Sequence, residues 1–157
     1  PYTTLFRSIN IIKKSEYSKV IEIEQNLFEN AMSEIELRNF IRQDSFKILK
    51  IECCEILGYV SFFQVKDEVE IVKLGVAIQY QRQKYGSLLI NEIKKLDIKS
   101  IFLEVSVENT KAIKFYKNNG FLQTGQRIGY YKSINGKRRA SLCRCFIKWD
   151  SIFITNL

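Results

Sequence analysis

Leu74-Gly75-Val76-Ala77-Ile78-Gln79-Tyr80-Gln81-Arg82-Gln83-Lys84-Tyr85-Gly86-Ser87-Leu88-Leu89 is the stretch that decides the fold. It opens as an apolar strand and passes through a polar, Gly-containing turn. It then enters a helix over 86–96, with Leu89, Ile93 and Leu96 on one stripe. The first N–H groups of such a helix have no intrahelical partner, and its dipole favours an anion there. A pyrophosphate suits the turn: Arg82 and Lys84 add formal charge, and Gly86 lets backbone come close to a ligand. A plain strand-to-helix connection carrying one Gly is the competing reading.

Downstream, residues 101–107 form a nearly continuous apolar strand interrupted by Glu104. Alternation puts Glu104 with Phe102 and Ser106, opposite Leu103 and Val105. A carboxylate in an apolar strand is costly unless it is wet, paired or working. Asn109 caps a short helix over 110–118, which ends with Gly120 in the C′ position. Tyr116 shares a helical face with Ala112 and Ile113 and so points inward. An edge carboxylate and a core tyrosine are the plainer readings of Glu104 and Tyr116. Strands over 121–131 and 140–149 follow, joined around Asn135-Gly136.

Upstream, residues 9–13 read as a strand, and Ser15 as the cap of a helix running to about residue 30. Ser33-Glu34-Ile35-Glu36 is a capping box that opens a second helix. Strands over 46–53, 56–65 and 69–78 follow, the last two joined by a turn at Asp67-Glu68. The order is β-α-α-β-β-β-α-β-α-β-β. It implies an α/β (α+β) sheet, mostly antiparallel, with a parallel crossover where strand, helix and buried strand succeed one another.

At 157 residues the chain has room for one core, and 46% hydrophobic with 27% charged residues excludes a disordered tail protein. There is no His, which removes Ser-His and Cys-His nucleophile schemes and His-ligated metals; no metal site is expected. Cys53, Cys54, Cys143 and Cys145 lack the C-x-x-C spacing of a zinc or redox site and are read as small buried side chains on two strands. No apolar run reaches membrane-span length and no leader pattern opens the sequence, so a cytoplasmic protein without a membrane role is expected. The net charge of +8 is uneven. Up to Ile78 there are 10 Lys+Arg against 12 Asp+Glu, and from Gln79 to Lys148 there are 15 against 4. Something anionic meets the second half, or a Lys-rich composition has been imposed on it. Pro1–Ser8, without an initiator Met, resembles the translation of a sequencing-adapter oligonucleotide and is set aside as a non-native scar. That leaves one domain over 9–149 and a tail over 150–157.

Together, Tyr80-Gln81-Arg82-Gln83-x-x-Gly86, Leu103-Glu104-Val105, Asn109, Ala112-Ile113, Phe115-Tyr116, Asn119-Gly120-Phe121, Arg127 and Tyr130-Tyr131 resemble the Gcn5-related N-acetyltransferase (GNAT) superfamily. Within it the similarity is to the bacterial branch that acetylates the N-terminal alanine of ribosomal proteins. The resemblance spans about residues 9–148. It implies a mixed sheet splayed at its centre, flanked by about four helices, with acetyl-CoA in the gap as co-substrate. Leu74, Gly75 and Val76 would offer backbone groups to the pantetheine arm. Arg82, Gln83, Lys84, Tyr85, Gly86 and Ser87 would wrap the pyrophosphate, and Asn109 would contact the cofactor. Glu104 matches the family's general base, and Tyr116 the acid that protonates the departing thiolate.

The sequence departs from the family pattern in four places. Lys84 stands at a usual Gly, the helix after it is about one turn short, and Met32 replaces a frequent Trp. Arg138-Arg139 stands where an acidic pair before Ala140 is common. The implied acceptor is a protein N-terminus, most simply that of a ribosomal protein, with no direct nucleic-acid role. A small amine or sugar-nucleotide amine is the alternative acceptor. A non-catalytic basic module that binds RNA or the ribosome is the alternative from another class.

Overall fold

The computed structural model describes residues 7–133 and 136–146; for 128–133, 136–141 and 146 it describes the backbone alone. Seven strands make a mixed, mostly antiparallel sheet in the order β1-β2-β3-β4-β5-β7-β6, with four α-helices among the described residues. The chain divides into two compact units, one formed by the residues up to Gln64 with Ile71–Leu96, the other by Val65–Glu70 with everything from Asp97 onward.

In the first unit, β1 (Ser8–Ile11) begins at the last residue of the segment set aside as non-native, Ser8 pairing with Glu52. A one-turn 3-10 helix (Lys14–Glu16) then leads into α1 (Tyr17–Leu27). Ser15 does not cap this start. The carboxylate of Glu16 takes that place, accepting the Lys13 N–H at 2.8 Å. α1 stops at Leu27, short of residue 30, where Phe28 turns extended. Close by, Glu24 is 1% exposed and accepts the Met32 N–H at 2.6 Å and the Lys73 ammonium at 2.9 Å. α2 (Glu34–Ile41) opens on the expected capping box: Ser33 accepts the Glu36 N–H, and Glu36 accepts the Ser33 N–H at 2.8 Å. Those bonds from Ser33 hold the Glu36 carboxyl below its usual range.

β2 (Phe46–Glu52) and β3 (Ile56–Val65) are antiparallel. Val20, Ile23, Met32 and Leu37 of the helical layer pack with Phe46, Ile48 and Tyr59 of these strands. Rings of Phe40, Phe46 and Phe63 interlock beside them, Phe40 stacked on Phe46 at 5.1 Å. Cys53 and Cys54 lie in the β2–β3 turn rather than on a strand, and Cys54 is exposed, contrary to expectation. The turn before β4 (Glu68–Val76) falls on Lys66-Asp67, with Lys66 at φ 53°, so Glu68 is already in the strand. β4 ends at Val76, two residues before the expected end, and a 3-10 turn (Ile78–Tyr80) follows. α3 (Tyr85–Lys94) buries Leu89, Ile90 and Ile93.

In the second unit, β5 (Ser100–Ser106) shows the expected alternation, with Ile101, Leu103 and Val105 buried and Phe102, Glu104 and Ser106 half-buried. α4 (Thr110–Asn118) follows, and Gly120 at φ 87° ends it in the left-handed conformation that suits Gly. β6 (Leu122–Ser133) and β7 (Gly136–Phe146) pair with each other, and β7 also pairs with β5. Cys143 and Cys145 are buried, as their C-x-C spacing on a strand implied. The expected turn around Asn135-Gly136 falls partly outside the described residues.

Lys50, 2% exposed, sits between Glu16 and Glu52 with its ammonium 2.5 Å from each carboxylate. Burial alone would pull its pKa down, but the two hydrogen bonds outweigh it and the value is raised. The Glu16 carboxyl is held low, first by the bond from Lys50 and then by the Lys13 N–H. Lys50→Met should cost about 3 kcal/mol in urea unfolding, since removing one partner strands the others. Glu16 and Glu52 keep about a quarter of their exposure, which places the cost at the lower end of that range. A depressed carboxyl pKa contributes stability above its unfolded value, and that contribution disappears as pH falls through the folded value. The gap between wild type and variant should therefore be full at neutral pH and shrink below pH 4.5. A gap unchanged at acid pH would show that the pair is not its source.

Candidate active site

The first unit supplies a strand end and a turn. Gly75 is buried and flanked by the half-buried Leu74 and Val76. A Cβ on Gly58 of β3 would stand 2.8 Å from the Gly75 carbonyl oxygen and 3.2 Å from the Val76 Cα, so only Gly lets the two strands approach this closely. The Val76 carbonyl accepts from the Gln81 side chain at 3.0 Å, and the Ala77 N–H donates to Leu57 at 3.0 Å. The 3-10 turn is tied down by a hydrogen bond from the Tyr80 hydroxyl to the Glu55 carboxylate, a bond that pushes the phenol pKa up.

Beyond it the backbone becomes left-handed at two residues that carry a Cβ, Arg82 (φ 61°) and Lys84 (φ 67°). Lys84 is the N-cap of α3 and has no side-chain cap bond. A left-handed residue followed by a helical one turns successive N–H groups to one side, making an anion-binding concavity. Arg82, Gln83 and Lys84 are exposed around it, while Tyr85 and Gly86 are buried and Ser87 is half-buried. Tyr85 is fixed by a hydrogen bond to Gln83 at 3.3 Å and by the Arg7 guanidinium over its ring at 5.1 Å. The positive φ thus falls at Arg82 and Lys84, and Gly86 lies within the first turn of α3.

The second unit supplies the groups read as acid and base. Glu104 projects from the half-buried face of β5 with its side chain 17% exposed. Its Oε1 is 3.4 Å from Nη1 of Arg127 on β6. Its Oε2 is buried and has no hydrogen-bond partner among the described residues. Asn109 is exposed and caps α4 by accepting the Ala112 N–H at 3.1 Å, so its side-chain amide remains the group to offer a ligand. Tyr116 is 9% exposed, with its ring edge-to-face against Phe121 at 5.4 Å and Phe115 at 5.2 Å.

Leu74, Gly75, Val76 and residues 82–87 therefore belong to the first unit, and Glu104, Asn109 and Tyr116 to the second. Sequence reading missed two residues that shape these halves. Gly58 carried a signal, being a Gly inside an apolar strand run. Arg127 was read only as part of a motif. Among the described residues no group of three or more His, Cys, Asp or Glu is placed to hold a metal, and no helix is long and apolar enough to cross a membrane. The Arg138-Arg139 side chains lie outside what is described.

A mixed sheet with a left-handed turn leading into α3 in the first unit, and a half-buried carboxylate on β5 in the second, are features of one class of protein. The chain belongs to the Acetyltransferase (GNAT) family, whose model matches residues 14–121. It is 34% identical over 80 residues to the ribosomal protein bS18-alanine N-acetyltransferase of Escherichia coli. That match takes in 48% of this chain and 54% of the relative, so the chain spans about half the length of that protein. The Haemophilus influenzae protein of the same name is 26% identical over 144 residues, covering 88% of this chain and 98% of its own. In fold, the chain is similar to the crystal structure of the ribosomal-protein-S18-alanine N-acetyltransferase from Escherichia coli, with a TM-score of 0.83 at 22% identity over 97% of this chain and 99% of that one.

Proposed function

We propose that the chain is an acetyl-CoA-dependent Nα-acetyltransferase of the cytoplasm, acting on the N-terminal residue of a ribosomal protein by direct attack of the amine on the thioester. The observation that carries the catalytic reading is Glu104: a carboxylate on a half-buried strand face, with one oxygen buried and lacking a hydrogen-bond partner among the described residues. Such an oxygen is costly to keep unless a donor arrives in use. The names of the relatives support the acceptor, and the free thiols support the compartment.

Acetyl-CoA fits the first unit's chemistry, since the Lys84–Tyr85 backbone and the Arg82 and Lys84 charges suit a pyrophosphate. When bound it supplies an acetyl group already activated as a thioester. Residues Arg82, Gln83, Lys84, Tyr85, Gly86 and Ser87 hold the phosphates, Leu74 to Val76 line the pantetheine arm, and the Asn109 amide contacts the co-substrate. Glu104 takes the proton of the attacking amine through a water, and the Tyr116 hydroxyl gives one to the departing thiolate.

Lys84→Gly is informative about the turn. A Cβ at positive φ costs about 1–2 kcal/mol, so the Gly variant should unfold at a higher temperature. Its acetyl-CoA affinity should stay within about tenfold, because one screened ammonium contact is lost as strain is relieved. The salt dependence of binding should flatten; an unchanged salt slope would mean that Lys84 makes no phosphate contact.

The acceptor class is tested by CoA-thiol release with three amines at equal concentration: a peptide with a free N-terminal Ala, a polyamine and an amino sugar. The peptide should be turned over fastest. A faster small amine would replace the acceptor and keep the chemistry, and no release with any of the three would favour a non-catalytic basic module.

A further inference from the structure

We infer that Arg127 is a positioning residue for Glu104: it holds Oε1 so that Oε2 is the oxygen presented to the proton of the acceptor amine. The inference rests on the proposed function and deepens it.

The strand register puts the two side chains on one face of the sheet. Glu104 of β5 stands opposite Leu142 of β7, and Leu142 stands opposite Gly125 of β6. Directly opposed residues share a face of the sheet, so Glu104, Leu142 and Gly125 form one row. Arg127, two residues along from Gly125, stands opposite Ala140 on that same face. Regular pairing would not give this. Gln123 pairs with Cys143, and an unbroken ladder would place Thr124 against Leu142 and Arg127 on the other side. The register instead slips by one residue between Gln123 and Gly125. A one-residue bulge turns every later side chain of the strand to the opposite face. The bulge at Thr124 therefore carries Arg127 to the face of Glu104. It also sets Gly125, a residue without a side chain, in the row of Glu104.

The contact is one-sided. Arg127 Nη1 is 3.4 Å from Oε1, while Oε2 is buried and without a hydrogen-bond partner among the described residues. An arginine beside one oxygen favours the carboxylate rotation that keeps that oxygen toward the cation, and so turns the second oxygen away from it. The arginine is 57% exposed and the carboxylate 17%. The cation thus lies on the solvent side of the pair and does not occupy the buried oxygen. A base must be held within hydrogen-bond reach of the proton it takes, and a displaced base is a slow one.

The test measures steady-state kinetics of Arg127→Gln and Arg127→Lys against wild type, with acetyl-CoA and the N-terminal Ala peptide. In Arg127→Gln, kcat should fall about tenfold while the KM for acetyl-CoA changes by less than about twofold. Arg127→Lys, which keeps a cation able to reach one oxygen, should recover most of kcat. An unchanged kcat in the Gln variant, or a Lys variant as slow as the Gln variant, would overturn the assignment. A second readout does not need turnover. The Glu104 carboxyl carbon resonance, identified by its loss in Glu104→Gln, should move in Arg127→Gln and stay put in Lys114→Gln. If wild type releases no thiol with any amine, the functional reading fails, yet this resonance still reports whether Arg127 governs the carboxylate; a resonance indifferent to Arg127 refutes the pairing.

Discussion

Glu104→Gln should lower kcat by about 10²-fold or more, and Tyr116→Phe should do the same, while the Kd for acetyl-CoA should stay within about twofold in both. The magnitude is that of a positioned base or acid. The amide of Gln keeps the shape of Glu104 and cannot take a proton. Phe keeps the ring of Tyr116, whose edge-to-face contacts with Phe115 and Phe121 anchor it, and removes only the hydroxyl. Unfolding midpoints measured for both variants separate lost chemistry from lost fold. Equilibrium binding of acetyl-CoA and single-turnover transfer make the distinction. Near-normal turnover in both variants would remove these residues from the reaction.

The second large effect concerns which nitrogen is acetylated. Only a neutral amine attacks a thioester. At pH 7.5 about a third of α-amino groups with a pKa near 7.8 are neutral, against about 0.1% of lysine side chains. With modest base assistance, the role proposed for Glu104, that ratio should pass into rate. A peptide with a free N-terminal Ala and an internal Lys should be acetylated at the α-nitrogen more than about 10²-fold faster than at the lysine. A copy with its N-terminus already blocked should remain unlabelled over the same time. Equal labelling of the blocked copy would mean that the enzyme deprotonates lysine and that the acceptor is misassigned.

Local chemistry made part of this molecule legible in its sequence. The Ser33–Glu36 capping box, the Asn109 cap and the alternation around Glu104 are set by near neighbours, and each stands as read. What failed was set by distant groups. Ser15 lost the start of the first helix to Glu16, whose carboxylate is engaged by Lys50, 34 residues away. The early end of α1 coincides with Glu24 being drawn to Lys73 and Met32. Positive φ at Arg82 could not be read from a residue that carries a Cβ, whereas at Lys84 the departure from a usual Gly raised it, and φ 67° bears that out. The partnership of Glu104 with Arg127 depends on a one-residue register slip, which no periodicity in the sequence of β6 announces.

Direct transfer of the acetyl group to an α-amine is tested by following both products of the reaction. Wild-type protein is incubated with acetyl-CoA, first alone and then with the N-terminal Ala peptide. Released thiol is counted, and the acetyl group is located by mass spectrometry. The protein alone should stay unmodified, and each thiol released after peptide is added should match one acetyl on the peptide's α-nitrogen. An acetylated protein in the first step, or thiol release without α-acetylated peptide in the second, would contradict direct transfer.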